Sequence, residues 1–537
     1  MHGNEADMIH LENVKHIAGS DSITIYWDKP EGLSAGMQYQ VSVDGKTAGT
    51  TAKTHFTVTG LAPDTEYSVE IKRIPMQDII PDQSYIAARN QNSGQSGAFG
   101  SDDLPVLAKM CLATGKAKER LDVTGAPYYA SGDGKTMNTA ALQKAFDDCK
   151  ADQAVYLPPG TFLTGALRMH SDMELYLEEG AVLQGTDVVE DYLPRIQSRF
   201  EGIENESYSS LLNLGELDHG GDYNCRNVVI RGKGTIASGG RVLAERVIAS
   251  ERERLADYLA ELGDKIKECE KPETIPGRVR PRLINISNCQ NIVISGVSLK
   301  NGASWNVHMI YSDAVVTNGC TFYSEDVWNG DGWDPDSSTN CTIFGCRFYT
   351  GDDSVAIKSG KNPEGNIIDR PTKHIRIFDC SCAFGHGIAI GSEMSGGVED
   401  VRIWDCDMSD SLCGIEIKGT KKRGGYVRDV HVRDCAAARV MFHAVGYNDD
   451  GIGAPVPPVF ESCSFENMSI TGEYFDKHTD TRAECDAIEL VGFDEPGYEL
   501  KNILFRDIVI GKAGRSRKQT IALQLCQNIT FERIGCI

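Results

Sequence analysis

Two patterns of apolar and polar positions divide the chain. Short runs in which apolar and polar residues alternate occupy the first part, at 22–30, 38–45, 54–61, 66–74 and 105–115. Alternation with a period of two predicts half-buried β-strands joined by hairpin turns. Trp27 lies within the first run and Tyr67 near the start of the fourth, an arrangement typical of a β-sandwich with a tyrosine corner. The polar stretch 89–103, rich in glycine and serine, predicts a loop.

From about residue 120, one six-residue pattern recurs: apolar, any, apolar, any, any, then apolar or small. Its copies are IVISGV (292–297), VVTNGC (315–320), CTIFGC (341–346), IRIFDC (375–380), VRIWDC (401–406), VHVRDC (430–435), ILFRDI (503–508) and ITFERI (529–534). Most neighbouring copies are 23 to 34 residues apart. Self-similarity at this period indicates a solenoid. Short strands with almost no helical periodicity predict one β-coil per repeat.

The sixth position of the repeat is often cysteine, and we expect Cys463 to supply the copy between Cys435 and Ile508. Equivalent residues of successive coils stack inside a solenoid, so these thiols are predicted to form an apolar interior ladder. The chain has 17 cysteines, an odd number that cannot all pair within one chain. Because no Cys-x-x-Cys combines with histidine at metal-binding spacing, no metal site is predicted.

Two segments interrupt the repeats. The segment 139–150 has the spacing of a short amphipathic helix, which could cap the open end of the solenoid. The segment 239–271 also has helical spacing and is predicted to be an insertion between coils. It would either pack on the outside or form a wall of a cleft. The predicted domains are therefore a β-sandwich at 1–117 and a β-solenoid at 118–537, giving an all-β fold class.

Charge narrows the choice of partners. The formal net charge is −23, which disfavours nucleic acid and anionic membranes as partners. There is no apolar run long enough to span a bilayer and no apolar stretch typical of a signal peptide near the start. We therefore expect a cytoplasmic protein, or a secreted one if a signal was removed. The oligomeric state cannot be predicted from these patterns.

Carboxylates crowd onto neighbouring predicted coils in NGDGWDPDSSTNCTIFGCRFYTGDDSVAIKSG (329–360). Asp331 follows one strand, and Asp352 and Asp353 follow the next. Adjacent coils lie about 4.8 Å apart, so the three side chains should surround one small space. Their repulsion should raise at least one pKa, and a protonated acid beside an ionised base is the minimum equipment for glycosidic hydrolysis. A calcium site or capped turns would explain the same residues.

Four ordered motifs decide between these interpretations. NGDGWDPDSS, GDDSVAIKSG, GHGIAIGSEMSGG and GIEIKG fall on successive coils and resemble the signature blocks of glycoside hydrolase family 28, the polygalacturonases. GDGKTMNTAALQKAFDDC and VYLPPGTFLTGAL resemble the start of that family's catalytic domain. The resemblance covers about residues 120–537. The first part resembles a fibronectin type III domain, as found ahead of some bacterial exo-acting members.

The resemblance implies a right-handed parallel β-helix and hydrolysis with inversion. Carried over by motif, Asp352 is the general acid, and Asp331 and Asp353 hold and deprotonate the attacking water. His386 lies beside them, and Lys418 pairs with a uronate carboxylate. Inversion requires an acid and a base about 6.5–9.5 Å apart. No cofactor is implied.

Two positions depart from the family pattern. Gly330, between Asn329 and Asp331, replaces the usual threonine, which we expect to matter little. Glu416 replaces the arginine of the usual Arg-Ile-Lys, and a glutamate repels a carboxylate that arginine would bind. We expect Lys358 and Arg423 to take over that role, unless Glu416 binds hydroxyls of a different substrate.

One coil earlier, Trp305 and His308 are predicted to form a stacking wall and a polar contact for the sugar, or else to be ordinary surface aromatics.

The preferred interpretation is an inverting, exo-acting hydrolase of α-1,4-linked galacturonic acid in pectic oligosaccharides or polysaccharides. Hydrolysis of another pectic linkage, such as rhamnogalacturonan or substituted galacturonan, is the alternative suggested by Glu416. A β-solenoid pectate lyase would need calcium and a basic proton abstractor. A carbohydrate-binding solenoid would need no acid and base pair.

Overall fold

The computed structural model describes residues 10–31, 37–74, 104–446, 451–476, 479–511 and 520–537. Its contacts divide the chain into two compact units, Met1–Glu119 and Arg120–Ile537. The predicted loop at 89–103 lies outside the described residues. Within the described part, no helix is long and apolar enough to cross a membrane.

The first unit is a β-sandwich, as predicted. Its strands are β1 Lys15–Ala18, β2 Ser22–Tyr26, β3 Gln38–Val43, β4 Lys46–Thr51, β5 His55–Thr59, β6 Glu66–Ile74 and β7 Val106–Ala113. They form two sheets, ordered β1-β2-β5 and β4-β3-β6-β7. Trp27 follows β2 and packs edge-on against Tyr39, with ring centroids 5.0 Å apart. The backbone N–H of Ala62 donates to the Tyr67 hydroxyl at 2.7 Å, so the tyrosine corner is confirmed.

The remaining strands belong to the solenoid and its hairpins. In chain order they are β8 Glu119–Asp122, β9 Asp133–Met137, β10 Gln153–Leu157, β11 Gly160–Thr164, β12 Leu167–Met169, β13 Glu174–Leu177, β14 Ala181–Gly185, β15 Ile196–Phe200, β16 Ile203–Ser207, β17 Leu212–Leu214, β18 Cys225–Gly232, β19 Thr235–Ala237, β20 Ile284–Ser287, β21 Cys289–Ser295, β22 Ser298–Lys300, β23 Val307–Ile310, β24 Asp313–Asn318, β25 Thr321–Tyr323, β26 Trp333–Asp336, β27 Thr342–Phe344, β28 Arg347–Tyr349, β29 Val355–Ile357, β30 Thr372–Phe378, β31 Ser381–Cys382, β32 Gly387–Ile390, β33 Val398–Trp404, β34 Asp407–Met408, β35 Gly414–Gly419, β36 Tyr426–Arg433, β37 Ala436–Ala437, β38 Arg439–Ala444, β39 Val459–Ile470, β40 Glu473–Asp476, β41 Thr481–Glu484, β42 Ile488–Val491, β43 Leu500–Ile510, β44 Ile521–Gln524 and β45 Cys526–Cys536.

Successive coils pair in parallel, which confirms the predicted parallel β-helix. One continuous ladder of eleven strands runs β12-β17-β20-β23-β26-β29-β32-β35-β38-β42-β44. The other coil strands join a second, 23-stranded sheet. Apolar residues of successive coils stack in register inside, as where Ile292 of β21 pairs with Val315 of β24. Each coil therefore buries its apolar positions against the coils on either side.

The fifth position of the repeat explains how each coil turns. It has a positive φ in every copy, at Gly296, Gly319, Gly345, Asp379, Asp405, Asp434, Asp507 and Arg533. Glycine adopts this left-handed conformation freely, and aspartate and asparagine tolerate it better than most residues. The recurring Gly or Asp before the sixth position is therefore a requirement of the backbone turn between two strands of one coil.

The cysteine ladder is confirmed, with one correction. Cys320 and Cys406 each donate a backbone N–H to the thiol of the next ladder member, Cys346 and Cys435, at 3.4 Å. Cys463, however, pairs with Val430 and does not continue this column. The pairing of Ala436 with Ser469 instead places Met468 after Cys435 in the column. The prediction misread the register of this coil, because CSFENM (463–468) fits the repeat with cysteine at its first position.

The two predicted helical segments are confirmed. The helices are α1 Thr139–Asp148, α2 Gly240–Arg254, α3 Ala256–Leu262, α4 Thr274–Gly277 and α5 Glu364–Ile368, with 3-10 turns at Val189–Tyr192 and Gly263–Glu268. The short helices α4 and α5 were not predicted. Helix α1 buries Leu142, Ala145 and Phe146 in the solenoid core. The insertion at 239–271 is helical over most of its length. The antiparallel hairpin β15–β16 was not predicted.

Candidate active site

The eleven-stranded ladder forms the floor of the candidate site. Val355 and Ile357 of β29 belong to the core, so the side chain between them points outward. In register with it, the outward column runs Asp334, Ala356, Ala389 and Glu416 across β26, β29, β32 and β35. Two alanines thus separate the charged residues at either end. The floor between these charged residues is therefore made of small side chains.

Acidic side chains stand where β26 and β29 begin. Asp331 precedes β26, Asp352 and Asp353 precede β29, and His386 precedes β32. The imidazole Nδ1 of His386 lies 3.2 Å from Asp352 Oδ1 and 3.3 Å from Asp353 Oδ1. The structure therefore brings together the Asp pair and the histidine that the motifs singled out.

Two buried lysines offset these carboxylates. Lys358 Nζ lies 3.3 Å from Asp331 Oδ2 and 3.7 Å from Glu393 Oε2. Lys418 Nζ lies 3.4 Å from Asp353 Oδ2 and 3.2 Å from a carboxylate oxygen of the same strand, on Glu416. Buried ionised groups need such partners, because leaving one unpaired costs several kcal/mol.

The carboxylates do not share one protonation behaviour. Burial raises the pKa of Asp331 well above its ordinary value, and the nearby Asp334 carboxylate adds to this rise while Lys358 opposes it. Burial raises the pKa of Asp334 as well. The raised pKa that the crowding predicted is therefore found at two of these carboxyl groups.

Asp353 has the opposite tendency. Burial would raise its pKa, but the Lys418 ammonium and the His386 imidazole outweigh burial and hold it below the ordinary range. For His386, burial lowers the pKa, yet Asp352 and Asp353 outweigh it and raise that pKa to about 9. An ionised carboxylate and an imidazolium therefore lie side by side at neutral pH.

Comparison with known proteins identifies the family. Residues 222–445 match the model of glycosyl hydrolases family 28. The chain is 32% identical to an endo-polygalacturonase of Pectobacterium parmentieri over 309 residues, which cover 54% of this chain and 67% of that protein. The chain belongs to glycoside hydrolase family 28. It is therefore a glycoside hydrolase.

Other relatives match different shares of the chain. An exo-poly-alpha-D-galacturonosidase of Dickeya chrysanthemi is 24% identical over 563 residues, covering 96% of this chain and 88% of that protein. A probable polygalacturonase of Vitis vinifera is 34% identical over 315 residues, but the chain spans only 58% of its length. Among solved structures, the family 28 exopolygalacturonase of Yersinia enterocolitica superposes with a TM-score of 0.76 at 21% identity, covering 98% of this chain and 99% of that one. This last likeness shows the fold.

The family 28 site is closed on the side of the earlier coils. Phe200, at the end of β15, stacks on Trp305 with ring centroids 4.5 Å apart. Trp305 in turn contacts the His308 ring edge-on at 4.7 Å. Beyond the tip of the same hairpin, Gly202 O accepts a hydrogen bond from Lys361 N at 2.9 Å. The hairpin β15–β16 therefore covers the outward face just before the carboxylates.

This cover corrects the prediction for Trp305 and His308. They are 2% and 0% exposed, so neither presents a surface on which a sugar could stack. His308 Nε2 instead lies 3.4 Å from Asp336 Oδ2, and burial, the largest influence, lowers the pKa of His308 to about 4. Both residues are part of a buried support behind the site.

Arg423 also differs from the prediction. Its guanidinium is fully buried and donates to Ser392 O at 2.9 Å and to Asn362 Oδ1 at 2.7 Å. These bonds hold the loop that carries Glu393 and leave Arg423 unavailable to a substrate. Asn329 is partly exposed and accepts a hydrogen bond from Arg280 Nη2 at 2.6 Å, so it lies at the site's edge.

The helical insertion lies beside the outward face of the eleven-stranded ladder, here called the groove. Lys271 Nζ lies 4.8 Å from the ring centroid of Trp328, which precedes Asn329. Three residues earlier in the insertion, Glu268 Oε2 lies 3.4 Å from Nζ of Lys422, which comes just after β35. The insertion thus contacts residues before β26 and after β35. Of the two interpretations that the sequence left open, these contacts support a wall.

Sequence reasoning missed Asp334, Asp336 and Glu393. Both carboxylate oxygens of Asp334 are buried without a hydrogen-bond partner within the described residues. Asp336 Oδ1 pairs with Arg199 Nη1 at 3.0 Å. The signal for the two aspartates was present, because outward positions two apart in a strand face the same side. Glu393 lies within the third quoted motif, GHGIAIGSEMSGG (385–397), but no role was assigned to it.

Asp352, Asp353 and His386 place three donor atoms within 4.8 Å of one another, a spacing at which a metal could bind. A divalent cation there would require His386 to lose its proton, which its raised pKa opposes, and would lie close to the Lys418 ammonium. Calcium prefers six to eight oxygen ligands, and this donor set offers few. The residues therefore fit a proton-transfer site better than a metal site.

Proposed function

We propose that this family 28 enzyme removes galacturonic acid from one end of α-1,4-linked galacturonate chains, with inversion. The closed end of the groove carries the proposal. Phe200, Trp305 and His308 fill the outward face on one side of the carboxylates, so a chain cannot continue in that direction. On the other side, His443 of β38 has a side chain that is 34% exposed, and the face opens. A groove blocked beside its reactive groups favours attack on chain ends.

The three aspartates take different roles in this proposal. Asp352, with a side chain 24% exposed, is the most open of them and is assigned to protonate the leaving oxygen. Asp331, on the neighbouring coil and paired with Lys358, and Asp353, kept ionised by Lys418, are assigned to hold the attacking water and take up its proton. Asp352 and Asp353 place oxygens within 4.8 Å of each other, closer than the roughly 6.5–9.5 Å of an inverting pair, so the water is assigned to the side of Asp331. Proton donor and acceptor thus have separate environments, as acid–base catalysis of this reaction requires.

Local charge supports an acidic substrate despite the net charge of −23. Lys358, Lys418 and the imidazolium of His386 all lie within the site. These cations offset the nearby carboxylates and so reduce the repulsion that a uronate carboxylate would meet in this space. The relatives named exo-poly-alpha-D-galacturonosidase and exopolygalacturonase agree with this substrate and with exo action.

Glu416 favours one alternative. A carboxylate in place of the family's arginine would suit hydroxyl groups at the leaving side, and therefore a substituted galacturonan or rhamnogalacturonan. If that alternative holds, unsubstituted oligogalacturonate will be cleaved poorly and the substituted chain well.

Product analysis on hexagalacturonate tests the proposal. The wild type should release monogalacturonate and pentagalacturonate first, and NMR of fresh product should show the inverted, β-anomer. Asp352→Asn should reduce the rate by about 100-fold or more, since general acid catalysis contributes about 10²–10⁴-fold. Asp410→Asn, on an exposed carboxylate paired with Arg482, is the matched control and should leave the rate unchanged. A ladder of intermediate sizes at early times would refute exo action, and an unsaturated product absorbing in the ultraviolet would indicate a lyase.

A further inference from the structure

The open side of the groove contains an arginine that no motif singles out. In β38, Val440 and Phe442 belong to the core. Arg439, Met441 and His443 alternate with them and share the outward face. Arg439 is in register with Gly414 of β35, which is itself in register with Gly387, the residue after His386. Arg439 therefore lies two coils beyond the catalytic histidine, in the direction in which the groove opens.

The side chain of Arg439 reaches back toward that histidine. Its Nη2 lies 3.7 Å from Cys413 Sγ, and the backbone N–H of Cys413 donates to His386 O at 3.3 Å. On its other side, the guanidinium carbon lies 5.5 Å from the ring centroid of Tyr474, on hairpin β40–β41. The guanidinium is thus held between a strand of the floor and an aromatic ring, one coil beyond His386.

Arg439 has hydrogen-bonding capacity to spare. Its Nε is buried and has no hydrogen-bond partner within the described residues. A thiol is a weak acceptor, so the bond to Cys413 satisfies little of the guanidinium. Arg199 and Arg282 also have an unpartnered buried nitrogen, but they belong to the packed side near Phe200. Arg439 is therefore an arginine on the open side whose guanidinium can still donate hydrogen bonds to a ligand.

Other basic groups on the open side are engaged. Lys418 lies 3.2 Å from Glu416, so the pair is nearly neutral toward a ligand. Lys421 donates to Asp494 O at 3.0 Å, and Lys422 lies 3.4 Å from Glu268. A planar guanidinium binds a carboxylate through two parallel hydrogen bonds, which an ammonium cannot do.

We propose that Arg439 binds the carboxylate of the uronate on the leaving side of the scissile bond. This inference rests on the proposed function, and it assigns the task expected of Arg423 to a residue of the next coil. Glu416 then does not exclude an acidic substrate, because Lys418 lies against it and Arg439 adds a further positive charge on the same face. Tyr474 fixes the guanidinium plane toward the groove.

Two substrates with different leaving groups test this assignment. Digalacturonate presents a carboxylate on the leaving side, whereas 4-nitrophenyl α-D-galacturonide presents an uncharged ring. Arg439→Gln should lower kcat/KM for digalacturonate by about 10- to 100-fold, the usual cost of a lost hydrogen bond to a charged group. It should leave kcat/KM for the aryl galacturonide within about twofold. Arg439→Lys should recover only part of the loss.

Arg482→Gln is the matched control, since it removes a guanidinium from the neighbouring hairpin, and it should alter neither substrate's kcat/KM. An equal fall on both substrates would assign Arg439 a structural role and overturn the inference, as would no fall on either. If the wild type cleaves neither substrate, the proposed function itself fails. If instead the wild type cleaves both substrates and Arg439→Gln cleaves them equally well, the proposed function stands and only the role of Arg439 fails.

Discussion

His386 should remain an imidazolium well above the pH at which most histidines lose their proton. Its pKa is raised to about 9 because Asp352 and Asp353 outweigh burial. With an ordinary pKa of about 6.5, roughly three quarters of the imidazole would be neutral at pH 7, whereas at a pKa of about 9 only about 1% is. Diethyl pyrocarbonate acylates only neutral imidazole. Labelling of His386 at pH 7 should therefore be about 75-fold slower than that of a free histidine peptide.

Removing one carboxylate should move this value by a predictable amount. Both carboxylates lie close to Nδ1, at 3.2 and 3.3 Å, and both raise the pKa of His386, Asp353 through a hydrogen bond as well as through its charge. Asp353→Asn should lower the pKa of His386 by at least one unit and speed its labelling at pH 7 by about 10-fold. Asp507→Asn, on an exposed carboxylate paired with Arg533 several coils further along the chain, is the control and should leave the labelling rate unchanged.

The same shift links pH to stability. The folded pKa lies above the unfolded value, so the stabilisation is complete below about pH 6.5 and is lost as the pH rises through about 9. The shift corresponds to about 3 kcal/mol, and solvent screening of a side chain that is 32% exposed reduces this to about 2 kcal/mol.

Peptide mapping by mass spectrometry gives the labelling rate of His386 directly. A rate at pH 7 equal to that of the free peptide would refute the reasoning.

Two further changes test the support around the site. Lys358→Met should lower the free energy of unfolding by about 3 kcal/mol, because it leaves the buried Asp331 carboxyl group without its cation and Glu393 with Arg423, 4.0 Å away, in place of two cations. Urea denaturation should show part of that loss recovered in Lys358→Met with Glu393→Gln, and no recovery would mean that the lysine acts elsewhere. Cys406→Ala should cost about 1 kcal/mol by emptying one position of the thiol ladder, with kcat/KM unchanged. A changed kcat/KM would contradict a purely interior role.

The solenoid could be predicted from the sequence because one coil repeats one set of physical requirements. Apolar residues two apart face inward, and the fifth position must accept a left-handed backbone, so Gly345 and Asp379 mark equivalent turns. The prediction failed where two frames of the repeat overlap. Cys463 and Met468 are both apolar and five residues apart, and only the pairing of the following strand decides which of them joins the column.

Some site residues follow from the repeat of the coils, and others depend on segments outside that repeat. Asp331, Asp352, Asp353 and His386 were predictable because residues flanking equivalent strands must meet on one face of a parallel ladder. His308 faces outward, as its position between the core residues Val307 and Met309 of β23 required, and it is nevertheless buried. Whether an outward position meets solvent depends on segments that the repeat does not encode.

Those segments determine what the groove can accept. The ladder alone would present a long face along which a polysaccharide could lie and be cut at internal bonds. Hairpin β15–β16 blocks that face next to Asp331, and Phe200 fills the space that an earlier sugar would need. The residue that binds the leaving-side carboxylate must then come from later coils, where Arg439 lies. Chain-end specificity therefore depends on the hairpin, while the coils supply the acid and the base. Shortening the hairpin turn at 200–203 should therefore reduce chain-end specificity while leaving the acid and the base in place.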